Sequence, residues 1–366
     1  MKYFILAGEK SGDLHGSNLI HEIKKLDSNA QIKAWGGDGM KAEGAEIIIH
    51  HKELAIMGLL GVLQNIKRLK GLFTKFGSEI DEFKPDTIIF IDYGGFNLKA
   101  ARIAKRKGFH TQFYIAPKVW AWNKSRISDI QKWVDKLYVI FPFEQQIFSE
   151  KGIDTYYVGN PLQDAVSSFK ATADFLQREN ITLPYVALLA GSRKQEIKSA
   201  LPVFAQLAKE NPQISFIVAG ISEWRELYAN YPIRVLYNQT YDVLSHAQAA
   251  VVTSGTATLE TALFKVPQVV VYKTDWLFYS LAKLLVKIKF ISLVNIILDK
   301  LAIPELIQVQ FTSQHIQLHL QKILAKDAEA RLEQLNDYEK LLQVIGPSGA
   351  SQKTAELLVN AAQSAK

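Results

Sequence analysis

No cysteine occurs among the 366 residues. That excludes disulfides and thiolate metal sites, and it fits a reducing compartment. A run of about 18 uncharged apolar residues is also missing, so a membrane-spanning helix is not expected. The longest apolar tract, Trp276–Leu298, is interrupted by Lys283, Lys287 and Lys289. The N-terminus lacks a secretory signal pattern, because the apolar run Tyr3–Ala7 is short and an acidic turn follows at once. A soluble, cytoplasmic protein is therefore expected. No G-x-G-x-x-G follows a strand and there is no Walker A motif, which removes the two best-known nucleotide fingerprints. His50 and His51 are adjacent, and neighbouring side chains do not face one way on a helix or strand. No metal and no cofactor are expected. Motifs for RNA or DNA are absent as well, so nucleic acid is not an expected partner.

What is present describes an ordinary globular chain, with 48% hydrophobic and 22% charged residues. At roughly 100–200 residues per domain, the length suggests two or three domains. Lys and Arg exceed Asp and Glu by 43 to 36, a formal charge of +7 at pH 7. A basic balance suits nucleic acid, an anionic membrane surface or phosphorylated substrates.

Short apolar runs alternate with helical patterns through the first half. Strands are predicted at Tyr3–Leu6, Gln31–Trp35, Thr87–Ile91, Thr111–Ile115, Lys136–Ile140 and Thr155–Val158. Helices are predicted between them, at Ser17–Leu26 and Ile66–Phe83 among others. This alternation implies a doubly wound parallel sheet with both faces covered. The pattern restarts near residue 185 with "YVALLAGSRKQE", followed by "ISFIVAG", "RVLY", "AAVVTSG" and "PQVVVY". The junction is expected near 160–180. The expected division is an N-terminal domain 1–170, a C-terminal domain 171–340 and a helical tail 341–366.

The first turns of the two halves share a plan and differ in charge. "LAGEKSGD" carries Glu9 and Asp13, with Ser11 between them; "LAGSRKQE" carries Ser192, Arg193 and Lys194. A helix N-terminus favours anions through its dipole and N–H groups. A diphosphate is therefore expected in the second half, and a hydroxyl-bearing ligand in the first.

Other turns could carry chemistry. "TIIFIDYGGFN" ends a buried strand at Asp92, where ligands of open α/β sheets bind, and a carboxylate there suits a general base. The plain alternative is a carboxylate that only satisfies loop N–H groups. Arg193 offers a bidentate fork for a diphosphate, or is simply a solvated residue at a helix start. "VVTSGTATLETAL" runs a strand into Ser254, Gly255 and Thr256, then a helix carrying Glu260, which could accept hydrogen bonds from a ribose. The plain alternative is a capped helix with a surface glutamate. The segment 56–77, containing Met57, turns from apolar to basic; it fits an acyl chain or anionic membrane, or an ordinary amphipathic helix. Trp120 and Trp122 lie among Lys118, Lys124 and Arg126 and would suit a sugar, an acyl chain, a stacked base or the core.

Taken together, "AGEKSGDLHG", "MGLLGVL", "FIDYGGFN", "APKVWAWNKSRI", "FPFE", "YVGNPLQD", "LAGSRKQEI", "SGTATLE" and "ISLVNIIL…PELIQ" resemble the lipid-A-disaccharide synthase family, in the family's order, over residues 6–308. The resemblance implies two Rossmann-like domains facing a cleft, the GT-B type, and an inverting glycosyltransferase that needs no metal. The first domain would bind the acceptor and the second the UDP-sugar donor. It implies transfer of 2,3-diacylglucosamine from UDP to 2,3-diacylglucosamine 1-phosphate, giving a β-1,6 disaccharide 1-phosphate and UDP for lipid A of the Gram-negative outer membrane. Asp92, Glu9 and Arg193 match family positions taken here as catalytic. Ser11, Asp13, Met57, Asn97, Trp120, Ser192, Ser254, Gly255, Thr256, Glu260, Asn295 and Gln308 match positions taken as substrate-binding. A peripheral place at the cytoplasmic face of the inner membrane, on anionic lipid, is implied, and a homodimer is compatible.

Two positions and one segment depart from the family pattern. Gly95 stands where a second acid is common. Val294 replaces a proline. Leu298–Leu301 replaces a segment with an arginine, leaving Lys300 as a partial substitute near the donor phosphates. The alternative readings are a UDP-sugar epimerase of the same two-domain plan and a non-enzymatic membrane-surface protein. An epimerase needs no acyl groove, and a surface protein needs no ligand-type turns at strand ends.

Overall fold

The computed structural model describes residues 1–54, 66–119, 126–276 and 289–365. The chain forms two compact units. One comprises Met1–Pro161 together with the segment from Ser348, and the other Leu162–Pro347.

The first unit is a seven-stranded parallel sheet in the order β3-β2-β1-β4-β5-β6-β7. Its strands are β1 Lys2–Ala7, β2 Gln31–Gly36, β3 Glu46–His50, β4 Thr87–Ile91, β5 Thr111–Tyr114, β6 Lys136–Val139 and β7 Thr155–Tyr157. The side-chain period of two decides which face each residue meets. Phe4 and Leu6 of β1 enter one core with Trp35, Phe76 and Phe90. Tyr3, Ile5 and Ala7 enter the opposite one with Leu19, Ile20 and Ile23. Both faces are covered, so the central strands read as unbroken apolar runs. The helix Ile66–Phe83 matches its predicted span and presents Phe76 to Phe4 and Trp35, ring centres 5.6 and 5.9 Å away.

The second unit is a six-stranded parallel sheet in the order β10-β9-β8-β11-β12-β13. Its strands are β8 Tyr185–Leu189, β9 Ser215–Gly220, β10 Val235–Tyr237, β11 Ala249–Thr253, β12 Gln268–Tyr272 and β13 Glu305–Ile307. Val186 and Leu188 face one core while Tyr185, Ala187 and Leu189 face the other.

The division differs from the expected boundaries at 170/171 and 340/341. The last helix, Ala350–Ser364, packs on the helix Lys10–Leu26 and places Ala355, Leu358 and Val359 in the first unit's core. Gln112 of β5 also donates to the Leu358 carbonyl at 3.1 Å. The apolar face of this helix is therefore already accommodated, and the segment is part of a domain.

Each sheet reverses strand order once, between β1 and β4 and between β8 and β11. Loops leaving neighbouring strands there run to opposite faces and open a crevice at the carboxyl ends. The turns beginning at Gly8, Asp92, Gly191 and Ser254 follow those four strands.

Candidate active site

In the first unit, the loop after β4 is strained. Asp92 and Tyr93 have φ of 47° and 50°, and Ile115, just past the adjacent β5, has φ of 64°. Left-handed backbone costs non-glycine residues about 1–3 kcal/mol each, and such strain clusters at functional sites. It holds Asp92 half-buried at the switch point, with Lys118 nearby. Burial raises its carboxyl above the usual carboxylate range, while the Tyr93 N–H and Lys118 pull it down. A carboxylate of raised proton affinity is what a general base needs.

The supporting residues are ordered by backbone contacts. Asn97 is fully buried and donates through Nδ2 to the carbonyls of Asp92 at 2.7 Å, Ile91 at 3.1 Å and Leu6 at 3.4 Å. Its Nδ2 thus ties the loop after β4 to β1. Asp13 accepts from the N–H groups of Gly37 at 2.7 Å, Gly39 at 2.9 Å and Met40 at 3.1 Å. It caps the next helix, Asp38–Ala42, so it too is a positioning residue. Glu9 and Ser11 are exposed at the start of Lys10–Leu26. Tyr93 packs so closely over Gly8 that a Cβ there would lie 2.2 Å from its ring. Gly95 leaves room: a Cβ would meet only Nη2 of Arg126, at 3.8 Å. Met57 and Trp120 lie outside the described residues.

The rings of His50 and His51 lie 4.5 Å apart. The strand ends at His50 and a helix begins at His51, so strand alternation no longer separates them. Among the described residues no three His, Asp or Glu side chains converge as a metal site requires.

In the second unit, Gly191 turns with φ of 95° and the helix Lys194–Glu210 follows. Here the structure adds a residue that the charge comparison overlooked. Oε2 of Glu196 accepts from the backbone N–H of Ser192 at 3.0 Å and of Arg193 at 3.1 Å. Its Oε1 holds Nη1 of Arg193 at 3.2 Å, although Arg193 is 83% exposed. The chain's own carboxylate thus occupies two backbone N–H groups of this turn and one guanidinium nitrogen, leaving the rest of the Arg193 fork exposed. A glutamate three residues into a helix start is the capping-box signal that could have revealed it.

The turn after β11 is more open. A Cβ on Gly255 would meet nothing within 4 Å, and Thr256 begins the helix Thr256–Leu263. Ser254 Oγ donates to the Ile291 carbonyl at 2.8 Å. Glu260, half-buried, accepts from the Tyr241 hydroxyl at 2.6 Å. Burial raises its carboxyl above the ordinary range, and the Tyr241 hydrogen bond opposes this.

Two residues expected to meet the substrate make contacts within the chain. Asn295 is fully buried; Oδ1 accepts from Ala302 and Ile303 N–H, and Nδ2 donates to the Ile303 carbonyl and Glu305. All its polar atoms serve the loop before β13. Gln308 clamps both backbone groups of Thr274 through its side-chain amide. Lys300, weighed as a partial phosphate ligand, lies 2.6 Å from the buried carboxylate of Asp337, which Lys340 also approaches at 3.2 Å.

A sequence profile described as lipid-A-disaccharide synthetase matches residues 3–359. A lipid-A-disaccharide synthase of Nitrosococcus oceani is 36% identical over 370 residues, covering 97% of this chain and 95% of its own. One from Syntrophus aciditrophicus is 35% identical, covering 96% and 95%. Among solved structures, a UDP-GlcNAc 2-epimerase from Neisseria meningitidis bound to UDP-GlcNAc has a TM-score of 0.70 at 14% identity, over 98% of this chain and 100% of that one. A calicheamicin glycosyltransferase has a TM-score of 0.61 at 16% identity, over 99% and 98%. At such identities these two likenesses concern the fold alone.

Proposed function

Because the chain belongs to the lipid-A-disaccharide synthetase family, we propose that its two sheet ends divide glycosyl transfer between acceptor activation and donor binding. The chain is a glycosyltransferase with the family's activity. It moves 2,3-diacylglucosamine from UDP to 2,3-diacylglucosamine 1-phosphate, forming the β-1,6 disaccharide 1-phosphate and UDP.

In this reading Asp92 takes the proton of the acceptor 6-hydroxyl as its oxygen attacks the donor's anomeric carbon. The bond from that carbon to the β-phosphate oxygen breaks, and UDP leaves with the electron pair. Inversion follows from a single displacement. Arg193 and the helix start at Gly255–Thr256 meet the charge that develops on UDP. Glu260 receives the ribose hydroxyls. Glu9 and Ser11 orient the acceptor, while Asp13, Asn97, Asn295 and Gln308 hold the loops that carry these groups. The observation that supports the reading most is Asp92: a carboxylate of raised proton affinity, fixed in left-handed backbone at the switch point. The test supplies purified protein with UDP-2,3-diacylglucosamine, with and without the acceptor, and follows products by mass spectrometry. Acceptor-dependent disaccharide and UDP are expected. UDP binding without disaccharide would turn the reading toward single-substrate epimerisation.

We also propose that the chain works on the inner face of the inner membrane, bound to anionic lipid through its excess of Lys and Arg. Among the described residues no helix is long and apolar enough to cross a membrane. Sedimentation with anionic vesicles at low salt, lost at high salt, is expected. A homodimer is compatible with this arrangement, and light scattering tests it.

A further inference from the structure

Tyr241 and Glu260 come from different helices, Thr240–His246 and Thr256–Leu263, and meet at 2.6 Å. The phenol is the donor, since burial and the neighbouring carboxylate hold it far above its usual titration range. Its ring is wedged edge-on against Phe169 and Phe264, with centres 5.3 and 5.1 Å away. Phe169 and Phe264 also meet each other at 5.9 Å. This three-ring cluster sets the hydroxyl with little freedom. Among the described residues no other donor reaches the Glu260 carboxyl, so one oxygen is committed and the other is not.

A half-buried carboxylate needs donors to remain ionised. A ribose offers two adjacent hydroxyls, and a charge-assisted hydrogen bond is about twice as strong as a neutral one. The accepting oxygen must also be aimed, because a side chain that turns freely loses much of that gain. We propose that Tyr241 is a positioning residue: it fixes one oxygen of Glu260 so that the other meets a ribose cis-diol, making the site selective for ribonucleotides over 2′-deoxyribonucleotides. This rests on the reading that Glu260 holds the donor's ribose.

The experiment measures UDP and 2′-deoxy-UDP binding by calorimetry for wild type, Glu260→Gln, Tyr241→Phe and the double variant. Thermal unfolding without ligand is recorded in parallel. Wild type is expected to prefer UDP by roughly tenfold, the worth of a hydrogen bond to a charged group. Tyr241→Phe keeps the ring cluster and deletes only the hydroxyl. It should bring the UDP to 2′-deoxy-UDP ratio within about twofold of unity, mainly by weakening UDP, and the double variant should lose nothing further. A merely structural tyrosine would lower both affinities alike and leave the ratio intact; that result overturns the proposal. If Glu260→Gln itself retains the wild-type ratio, the ribose reading fails and the proposal with it. A ratio lost in Glu260→Gln but kept in Tyr241→Phe overturns the proposal and leaves the ribose reading of Glu260 standing. Should Tyr241→Phe not fold, Phe169→Leu loosens the ring and keeps both polar groups; an unchanged ratio there overturns the proposal equally.

Discussion

The turns Leu6–Asp13 and Leu189–Glu196 follow the first strands of their units and carry an acid at the same eighth position. The two acids act in opposite directions. Asp13 reaches outward and caps the neighbouring helix through Gly37, Gly39 and Met40. Glu196, one methylene longer, folds back onto its own turn through Ser192 and Arg193. Helix register separates them: Asp13 is the fourth residue of its helix, whereas Glu196 is the third, where a capping box forms. The acidic turn leaves its own helix start clear of Asp13, while the basic turn is partly closed by Glu196. The more open phosphate-type turn of the second unit is the one at Ser254–Thr256.

The largest expected effect separates the two units by function. Asp92→Asn should lower kcat by ~10²–10⁴-fold, the usual worth of a general base. UDP affinity, measured by calorimetry, should stay within about twofold. A parallel loss of UDP affinity would break the division between acceptor and donor ends.

The next variants address the paired acids. Asp13→Ala strips three backbone N–H groups of their acceptor and should destabilise the fold by roughly 2–4 kcal/mol in urea unfolding. Glu196→Ala removes a more exposed cap and should cost only about 0.5–2 kcal/mol. Equal losses would mean that the two acids are equivalent after all.

Arg193→Ala comes next. It should weaken UDP by about tenfold, as expected for a charge-assisted contact, while leaving unfolding nearly unchanged. Intact UDP affinity together with intact turnover would remove Arg193 from the phosphate site.

The smallest expected effect is a pH dependence. Burial raises the Glu260 carboxyl above its unfolded value, so the folded chain binds that proton more tightly than the unfolded chain. Its contribution is most favourable below the ordinary carboxylate value and is eroded as pH rises through that value toward the raised one. Glu260→Gln lacks the erosion, so unliganded variant minus wild-type stability should grow over that window and then level off. Stability curves from acid to neutral pH measure this, and a difference that shrinks with rising pH would contradict the shift.

Much of the architecture was legible from pattern. Strands buried on both faces show as continuous apolar runs, which located β1, β2, β4, β5, β6, β7 and β8 to within a residue or two. The helix Ile66–Phe83 was legible from end to end. β3 was missed because "EIIIH" is a short edge strand behind a glycine-rich stretch, and β13 because "ELI" is a short edge strand with an acid at its start. Candidate site residues were legible where a residue type and a strand end coincide, and the structure puts Asp92, Arg193 and Glu260 in the segments that follow β4, β8 and β11. They were not legible where a side chain turns inward. Asn97 and Asn295 look like ligand-binding amides in sequence, yet buried backbone groups must be satisfied and these residues satisfy them.

The sequence by itself determined two parallel α/β sheets, the order of the ligand-type turns and the family, because apolar periodicity and short motifs are local properties. Only the tertiary structure decided that the last helix belongs to the first unit, that Lys300 is held by Asp337 and that Tyr241 supports Glu260. Those outcomes depend on which distant side chains meet in a low-dielectric interior, where every polar group needs a partner, and no local pattern encodes such meetings.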